Sequence, residues 1–261
     1  MKPTILIYDS GMGGLTIYDE IRKKLPDAYY VYCFDNAYFP YSEKSEIELI
    51  ERSIQIVQKI VQKIPLDLIV VACNTASTVV LPALRTTFDV DVVGTVPAIK
   101  PATQISETKT IGLLATKGTV TRRYVMDLIQ QYAKECIVEK IGSTDLVKLA
   151  EEKLHNDSVD MDMLQKIIKP WQNNQRLDTI VLGCTHFPFV KKELQQLLPN
   201  VKYFIDSGKA IANRVEYLLK EKKIAEKTVI TNLAYCTQLN QDTKKKEKVM
   251  KQKGFKRLDL L

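Results

Sequence analysis

Short runs rich in β-branched and aromatic residues recur along the chain: TILIYDSG, YYVYCF, LDLIVVACN, VDVVGT, KTIGLLAT, LDTIVLGC and VKYFIDS. Each leads through a polar or glycine turn into a helix-period pattern. A parallel neighbour needs a crossover connection, so strands that alternate with helices build a mainly parallel sheet covered on both faces. The expected class is α/β. In the segment 43–63, Ile47, Ile50, Ile54, Val57 and Val61 recur at helical spacing, which predicts an amphipathic helix with those residues on one face.

The pattern repeats at long range. Cys184 follows Cys73 by 111 residues, and Thr116, in the turn after KTIGLLA, follows Asp9 by 107. Two near-equal offsets predict two similar lobes, each a mainly parallel sheet flanked by helices, with an active-site cleft between them. The chain is expected to cross near Val96 and return near Asp206. NLAYC would then add a strand to the first lobe, so 1–95 with 208–261 form one lobe and 96–207 the other. Open α/β sheets bind ligands beyond the carboxyl ends of their strands.

Composition narrows the class further. Of 261 residues, 45% are hydrophobic and 26% charged, which suits folded globular domains. No apolar run approaches the roughly 20 residues of a bilayer span. The start, MKPTILIYDSGMGG, has an apolar stretch broken by Asp9 and no small-residue cleavage site, so a cytoplasmic protein is expected. Five cysteines without C-x-x-C argue against a disulfide framework or a zinc ribbon. Much of the net charge of +7 sits in the tail KKKEKVMKQKGFKR rather than interleaved with aromatics on one predicted face, and reads as a solvated basic segment rather than a nucleic-acid surface.

Cys33, Cys136 and Cys236 read as small core hydrophobes. Cys73 and Cys184 differ, because each ends its strand and is followed by residues of helix N-cap type, Asn74-Thr75 or Thr185-His186. A helix N-terminus stabilises a thiolate. Zinc could take Cys73, Cys184, His186 and Asp9, but Cys-x-His alone is weak spacing evidence. A redox dithiol normally uses C-x-x-C, and a Cys–His nucleophile leaves one thiol unexplained. Racemisation at carbon needs a base on one face and an acid on the other, a symmetry that two thiols supply.

These residues lie in motifs that resemble the glutamate racemase family: DSGMGGLT (9–16), DNAYFPYSEKS (35–45), VVACNTAS (70–77), VVGTVPA (92–98), LLATKGTVTRRY (113–124), LAEEKLH (149–155), LGCTHFP (182–188) and IDSG (205–208). The resemblance implies a cytoplasmic racemase that needs no cofactor and supplies D-glutamate for bacterial peptidoglycan. It makes Cys73 the base toward D-glutamate, assisted by Asp9, and Cys184 the base toward L-glutamate, assisted by His186. The family's glutamate that orients this histidine falls on Glu151, with Glu152 adjacent.

The same resemblance assigns Ser10, Asn74, Thr75 and Thr185 to the α-amino and α-carboxylate groups, and Tyr41 and Ser42 to the distal carboxylate. Many members have glycine at position 42. Thr119 and Thr121 are the expected ligands of the second lobe. The partners implied are glutamate and, from VVGTVPAIKPA and LAEEKLH, the activator UDP-N-acetylmuramoyl-L-alanine; a homodimer is one of the assemblies open to the family. Without the resemblance, Asp9 reads as an N-cap, Glu151 as an exposed helical acid and Tyr41 as a packing aromatic. The other functions open to the sequence are an aspartate or related racemase, a two-lobed small-molecule binding protein and a zinc hydrolase.

Overall fold

The structure, a computed structural model, describes residues 2–220, 222–224 and 231–261. By backbone contacts the chain divides into two compact units, Met1–Thr95 with Gly208–Leu261, and Val96–Ser207. In chain order the first unit begins with β1 (Thr4–Asp9), α1 (Leu15–Lys24), β2 (Tyr29–Phe34), α2 (Glu46–Lys63), β3 (Leu68–Val71), α3 (Asn74–Ser77), α4 (Leu81–Thr87) and β4 (Asp91–Gly94). The second unit follows with α5 (Ile99–Ile105), β5 (Thr110–Ala115), α6 (Lys117–Thr121), α7 (Arg123–Tyr132), β6 (Ile137–Gly142), α8 (Asp145–Asn156), α9 (Met161–Ile168), β7 (Thr179–Leu182), α10 (Lys191–Leu197) and β8 (Tyr203–Ile205). The chain returns to the first through α11 (Gly208–Lys220), β9 (Leu233–Cys236), α12 (Thr243–Gln252) and β10 (Leu258–Leu260).

Among the described residues every strand pairing is parallel. The first sheet runs β10-β9-β2-β1-β3-β4 and the second β6-β5-β7-β8, so the four strands β2-β1-β3-β4 recur in the same order as β6-β5-β7-β8. Backbone hydrogen bonds fix the equivalence. Ala72 N–H donates to Tyr8 C=O as Gly183 N–H donates to Leu114 C=O, both at 2.7 Å. Asp35 N–H donates to Asp9 C=O as Ser143 N–H donates to Ala115 C=O, both at 2.9 Å. The third strands therefore keep the offset of 111, but Asp9 matches Ala115 rather than Thr116. The offset between the first strands is 106, one less than the turn residues suggest.

Strand β6 is absent from the apolar runs of the sequence because Glu139 and Lys140 interrupt it; it lies at a sheet edge and is half-exposed along its length. Charged residues at an edge discourage pairing with another chain. Helix α2 starts from a capping box, with Ser45 Oγ accepting from Glu48 N–H and Glu48 Oε2 accepting from Ser45 N–H. Its buried face is Leu49, Ser53, Ile56, Val57 and Ile60, while Ile47 is 70% exposed and Ile50, Ile54 and Val61 lie at the margin. The expected face is rotated because Ser53, a polar residue, belongs to the core: its hydroxyl lies 3.1 Å from Tyr8 Oη, so burial leaves no polar group unsatisfied.

The first core packs Leu6, Tyr8, Val31, Ile69 and Val71 against α2. The second packs Ile111, Leu113 and Val181 against Ile99 of α5 and Val125 of α7. Equivalent aspartates brace the amino ends of the third strands. Asp67 Oδ2 accepts from Thr4 N–H at 2.7 Å. Asp178 accepts from Ser106 Oγ at 2.7 Å and from the backbone N–H groups of Glu107 and Thr108 at 2.7 and 2.9 Å. No helix among the described residues is long and apolar enough to cross a membrane.

Candidate active site

In the first unit the chemistry gathers where β1 and β3 end. Asp9, fully buried, closes β1 and receives two backbone donors, Ser10 N–H on Oδ1 at 2.7 Å and Gly14 N–H on Oδ2 at 2.6 Å. Gly14 is required sterically, since a Cβ there would come within 2.9 Å of both Ala72 Cβ and Tyr32 Oη. The DSGMGG turn thus wraps the Asp9 carboxylate. Ser10 Oγ lies 3.7 Å from Cys73 Sγ and 3.5 Å from Asp9 Oδ1, so it bridges carboxylate and thiol.

Cys73, 6% exposed, is itself the N-cap of the four-residue helix α3, and Asn74 and Thr75 are its first helical residues. The sequence places Asn74 and Thr75 at the cap, and the structure shifts this by one residue. So short a helix has little dipole, and Ser10 Oγ is a polar neighbour of the thiol. Asn74, 3% exposed, holds its Oδ1 buried with no hydrogen-bond partner. A lone buried acceptor carries a desolvation cost of about 1–3 kcal/mol, which a cationic donor such as an α-ammonium group would relieve.

In the second unit Cys184, 6% exposed, follows β7. Gly183 before it packs its backbone so closely that a Cβ would meet Leu113 Cδ1 at 3.0 Å. Here no α-helix starts at Thr185; a 3-10 turn, Phe187–Val190, starts from His186. Cys184 Sγ lies 3.8 Å from His186 Nδ1, and His186 Nε2 lies 2.6 Å from Glu151 Oε2 on α8. Glu151 is thus the partner of the ring, and its neighbour Glu152 is exposed. Burial alone would depress the imidazolium, but the hydrogen bonds to Cys184 and Glu151 and the charges of both outweigh it, and the His186 pKa is raised well above its ordinary value. Lys153, two residues after Glu151, clamps α8 to the turn by donating to Phe189 C=O at 2.8 Å and Glu193 Oε1 at 2.7 Å.

The remaining expected residues separate. Thr185 is buried beside Cys184. Thr119 is fully buried, its N–H donating to Thr116 Oγ1 at 3.1 Å and its hydroxyl accepting from Thr116 at 2.9 Å. Thr121 is exposed, and its hydroxyl bonds the Lys117 and Gly118 carbonyls of its own helix. Tyr41 points inward: its hydroxyl donates to Asp35 Oδ2 at 2.8 Å and contacts Tyr8 Oη. Burial is the main cause that raises its pKa well above the ordinary phenol value. Ser42, partly buried, follows in the same turn.

Sequence reasoning missed the node beneath that turn. Asp35, fully buried, accepts from Arg52 Nε and Nη2 at 3.0 and 2.9 Å and from Thr237 Oγ1 at 2.5 Å. Nothing in the spacing of Arg52 marks it. Of the other thiols, Cys33 and Cys236 are buried, and burial pushes both up. Cys136 is half-buried ahead of edge strand β6, less enclosed than a core residue. Among the described residues no group of three or more His, Cys, Asp or Glu side chains could hold a metal ion.

The family model for Asp/Glu/Hydantoin racemase matches residues 14–215. The chain belongs to that family of racemases. Within it, the chain is 66% identical to the glutamate racemase of Actinobacillus pleuropneumoniae serotype 5b, over all of this chain and 99% of that one. It is likewise 66% identical to the glutamate racemase of Glaesserella parasuis serovar 5, over all of this chain and 98% of that one. Among solved structures, that of Escherichia coli glutamate racemase in complex with L-glutamate and activator UDP-MurNAc-Ala superposes with a TM-score of 0.96 at 48% identity, covering all of this chain and 98% of that one.

Proposed function

We propose that this chain interconverts L- and D-glutamate by a two-thiol, two-base reaction and so supplies D-glutamate for bacterial peptidoglycan in the cytoplasm. The observation that supports it most is the equivalence of the two cysteines. Cys73 and Cys184 each follow the third strand of a repeated four-strand order, and each has its own polar assistant. The glutamate racemases to which the chain is similar over its whole length give the substrate.

The Cys73 thiolate takes the α-proton of D-glutamate and the Cys184 thiol returns a proton to the opposite face; L-glutamate reverses these roles. Because a thiolate is a far weaker base than the carbanion it creates, the difficulty lies in stabilising charge that spreads into the α-carboxylate. Fixed donors from Ser10, Thr75 and Thr185 would stabilise that charge, and Asn74 Oδ1 would receive the α-ammonium. Asp9 serves the Cys73 side as proton relay, bridged by Ser10. On the Cys184 side His186 does so, oriented by Glu151.

The activator seen with the E. coli protein suggests a second ligand for this chain.

The test follows optical activity of metal-free protein with L-glutamate and then D-glutamate in D₂O, with mass analysis of the α-position. Decay of the signal from either enantiomer, with deuterium entering the opposite one, is the expected result. Turnover of aspartate but not glutamate would move the chain to another racemase of the family.

A further inference from the structure

We propose that Asp35 and Arg52 form a positioning pair that sets the Tyr41–Ser42 turn, and with it the fit of the substrate's distal carboxylate. This deepens the racemase reading and rests on the assignment of that turn to the distal carboxylate.

Asp35 joins four separate pieces of the first unit. Its N–H donates to the carbonyl of Asp9, so it begins where the first half-site ends. Its carboxylate takes the two-pronged Arg52 guanidinium from α2, the Tyr41 hydroxyl from the substrate turn and the Thr237 hydroxyl from the loop after β9. The Arg52 guanidinium also stacks over the Tyr38 ring, 4.7 Å from its centroid, pinning a second residue of the same loop. Neighbouring bonds close the far side: Asn36 Nδ2 donates to Gln238 C=O at 2.7 Å and Asn36 Oδ1 accepts from the N–H groups of Thr237 and Gln238, both at 3.1 Å.

The Tyr41 hydroxyl is committed inward, so what the turn offers a carboxylate is its backbone and the Ser42 hydroxyl, and both are only as well placed as the anchors of the turn. A planar, two-pronged guanidinium fixes both distance and orientation, which an ammonium cannot do. Loosening the pair should therefore weaken binding of the dicarboxylate while leaving proton transfer at Cys73 unaltered.

The experiment compares Arg52→Met, Arg52→Lys, Thr237→Val and the neutral pair Asp35→Asn/Arg52→Gln, which keeps a folded alternative if an unpaired buried Asp35 proves too destabilising. Folding is monitored by thermal unfolding. For Arg52→Met we expect KM for both enantiomers to rise about tenfold with kcat within about twofold and an unchanged α-deuterium isotope effect, with Arg52→Lys recovering part of the loss. Thr237→Val should move KM in the same direction by a smaller factor. An unchanged KM in the folded variants, or a fall in kcat with an altered isotope effect and no change in KM, overturns the proposal. Ser42→Pro, which deletes both the backbone N–H and the hydroxyl of Ser42, separates the two levels. If Ser42→Pro leaves KM unchanged, the assignment of the turn is at fault; if Ser42→Pro raises KM and the Arg52 variants do not, the positioning pair is.

Discussion

His186 stands between two partners of different kind, with Nε2 2.6 Å from Glu151 Oε2 and Nδ1 3.8 Å from Cys184 Sγ. The carboxylate holds one ring nitrogen and leaves the other for the thiol, which fixes the direction in which a proton can move.

The chain has two histidines, so ring titrations by NMR are readily resolved. In the wild type the His186 ring should stay protonated well above its ordinary value of 6.5. Glu151→Gln removes one of the charges that raise the pKa and leaves the contact with Cys184, so the titration moves down. The raised folded pKa means that the stability gained from this contact is fully present below 6.5 and is lost as pH rises through the folded pKa. The stability gap between wild type and Glu151→Gln should therefore be widest in mild acid and close toward alkaline pH. A gap that widens with pH would contradict the ion-pair account.

Replacing either thiol by serine should lower turnover by about 10²–10⁴-fold, the usual weight of a positioned acid or base. The two enantiomers have equal free energy, so kcat/KM must fall equally in both directions whichever thiol is lost. Isotope effects escape that constraint. In His186→Asn the Cys184 step becomes the slow one, and α-deuterated L-glutamate should show a larger effect than α-deuterated D-glutamate. Asp9→Asn should show the reverse order. Equal effects in both variants would mean that the assistants do not serve separate thiols.

Asn74 offers a test in which binding and stability part company. Its Oδ1 is buried without a partner, so Asn74→Ala removes a desolvation cost as well as a ligand. The ligand-free protein should change stability by less than about 1 kcal/mol while KM for glutamate rises about tenfold or more. A marked loss of melting temperature without a KM change would make Asn74 structural.

Asp178 predicts acid sensitivity in the second unit. Burial would raise its pKa, but the backbone N–H groups of Thr108 and Glu107 and the hydroxyls of Ser106 and Thr179 hold the carboxyl below its ordinary 3.8. Its stabilisation is present above that value and disappears as pH falls through the depressed one. Asp178→Ala should cost on the order of 3 kcal/mol at neutral pH, the weight of one or two hydrogen bonds to a charged group, and less in acid, where the carboxyl is protonated in both states. Denaturant unfolding at neutral and acid pH would measure the difference.

Much of this frame was legible in the sequence. Apolar strand runs and the matching CNTAS and CTHFP turns are local signals, and the strand–helix alternation, the two-lobe division and the thiol positions followed from them. What escaped depends on pairing across distance. Strand β6 carries Glu139 and Lys140 because an edge tolerates them, and so it lacks the apolar run that betrays a central strand. The buried face of α2 was misjudged because Ser53 is satisfied by Tyr8, a contact 45 residues away. Arg52 could not be singled out at all, because a helical arginine looks alike whether it meets water or a buried aspartate. Glu151 and Glu152 are neighbours in sequence and are told apart only by which one α8 turns toward His186.

In both halves of the repeated topology a helix after the second strand supplies a charged prop: α2 brings Arg52 to Asp35, and α8 brings Glu151 to His186. The strand ends that carry the thiols are fixed by register. The crossovers are not, since Cys73 lies 64 residues beyond Asp9 but Cys184 lies 69 beyond Ala115. The extra length is absorbed away from the sheet, in the part of each half that sets the chemistry around its ends. The surroundings of each thiol can thus drift with their own crossover, and a site that must treat two mirror-image molecules alike in net rate need not be built of matching halves.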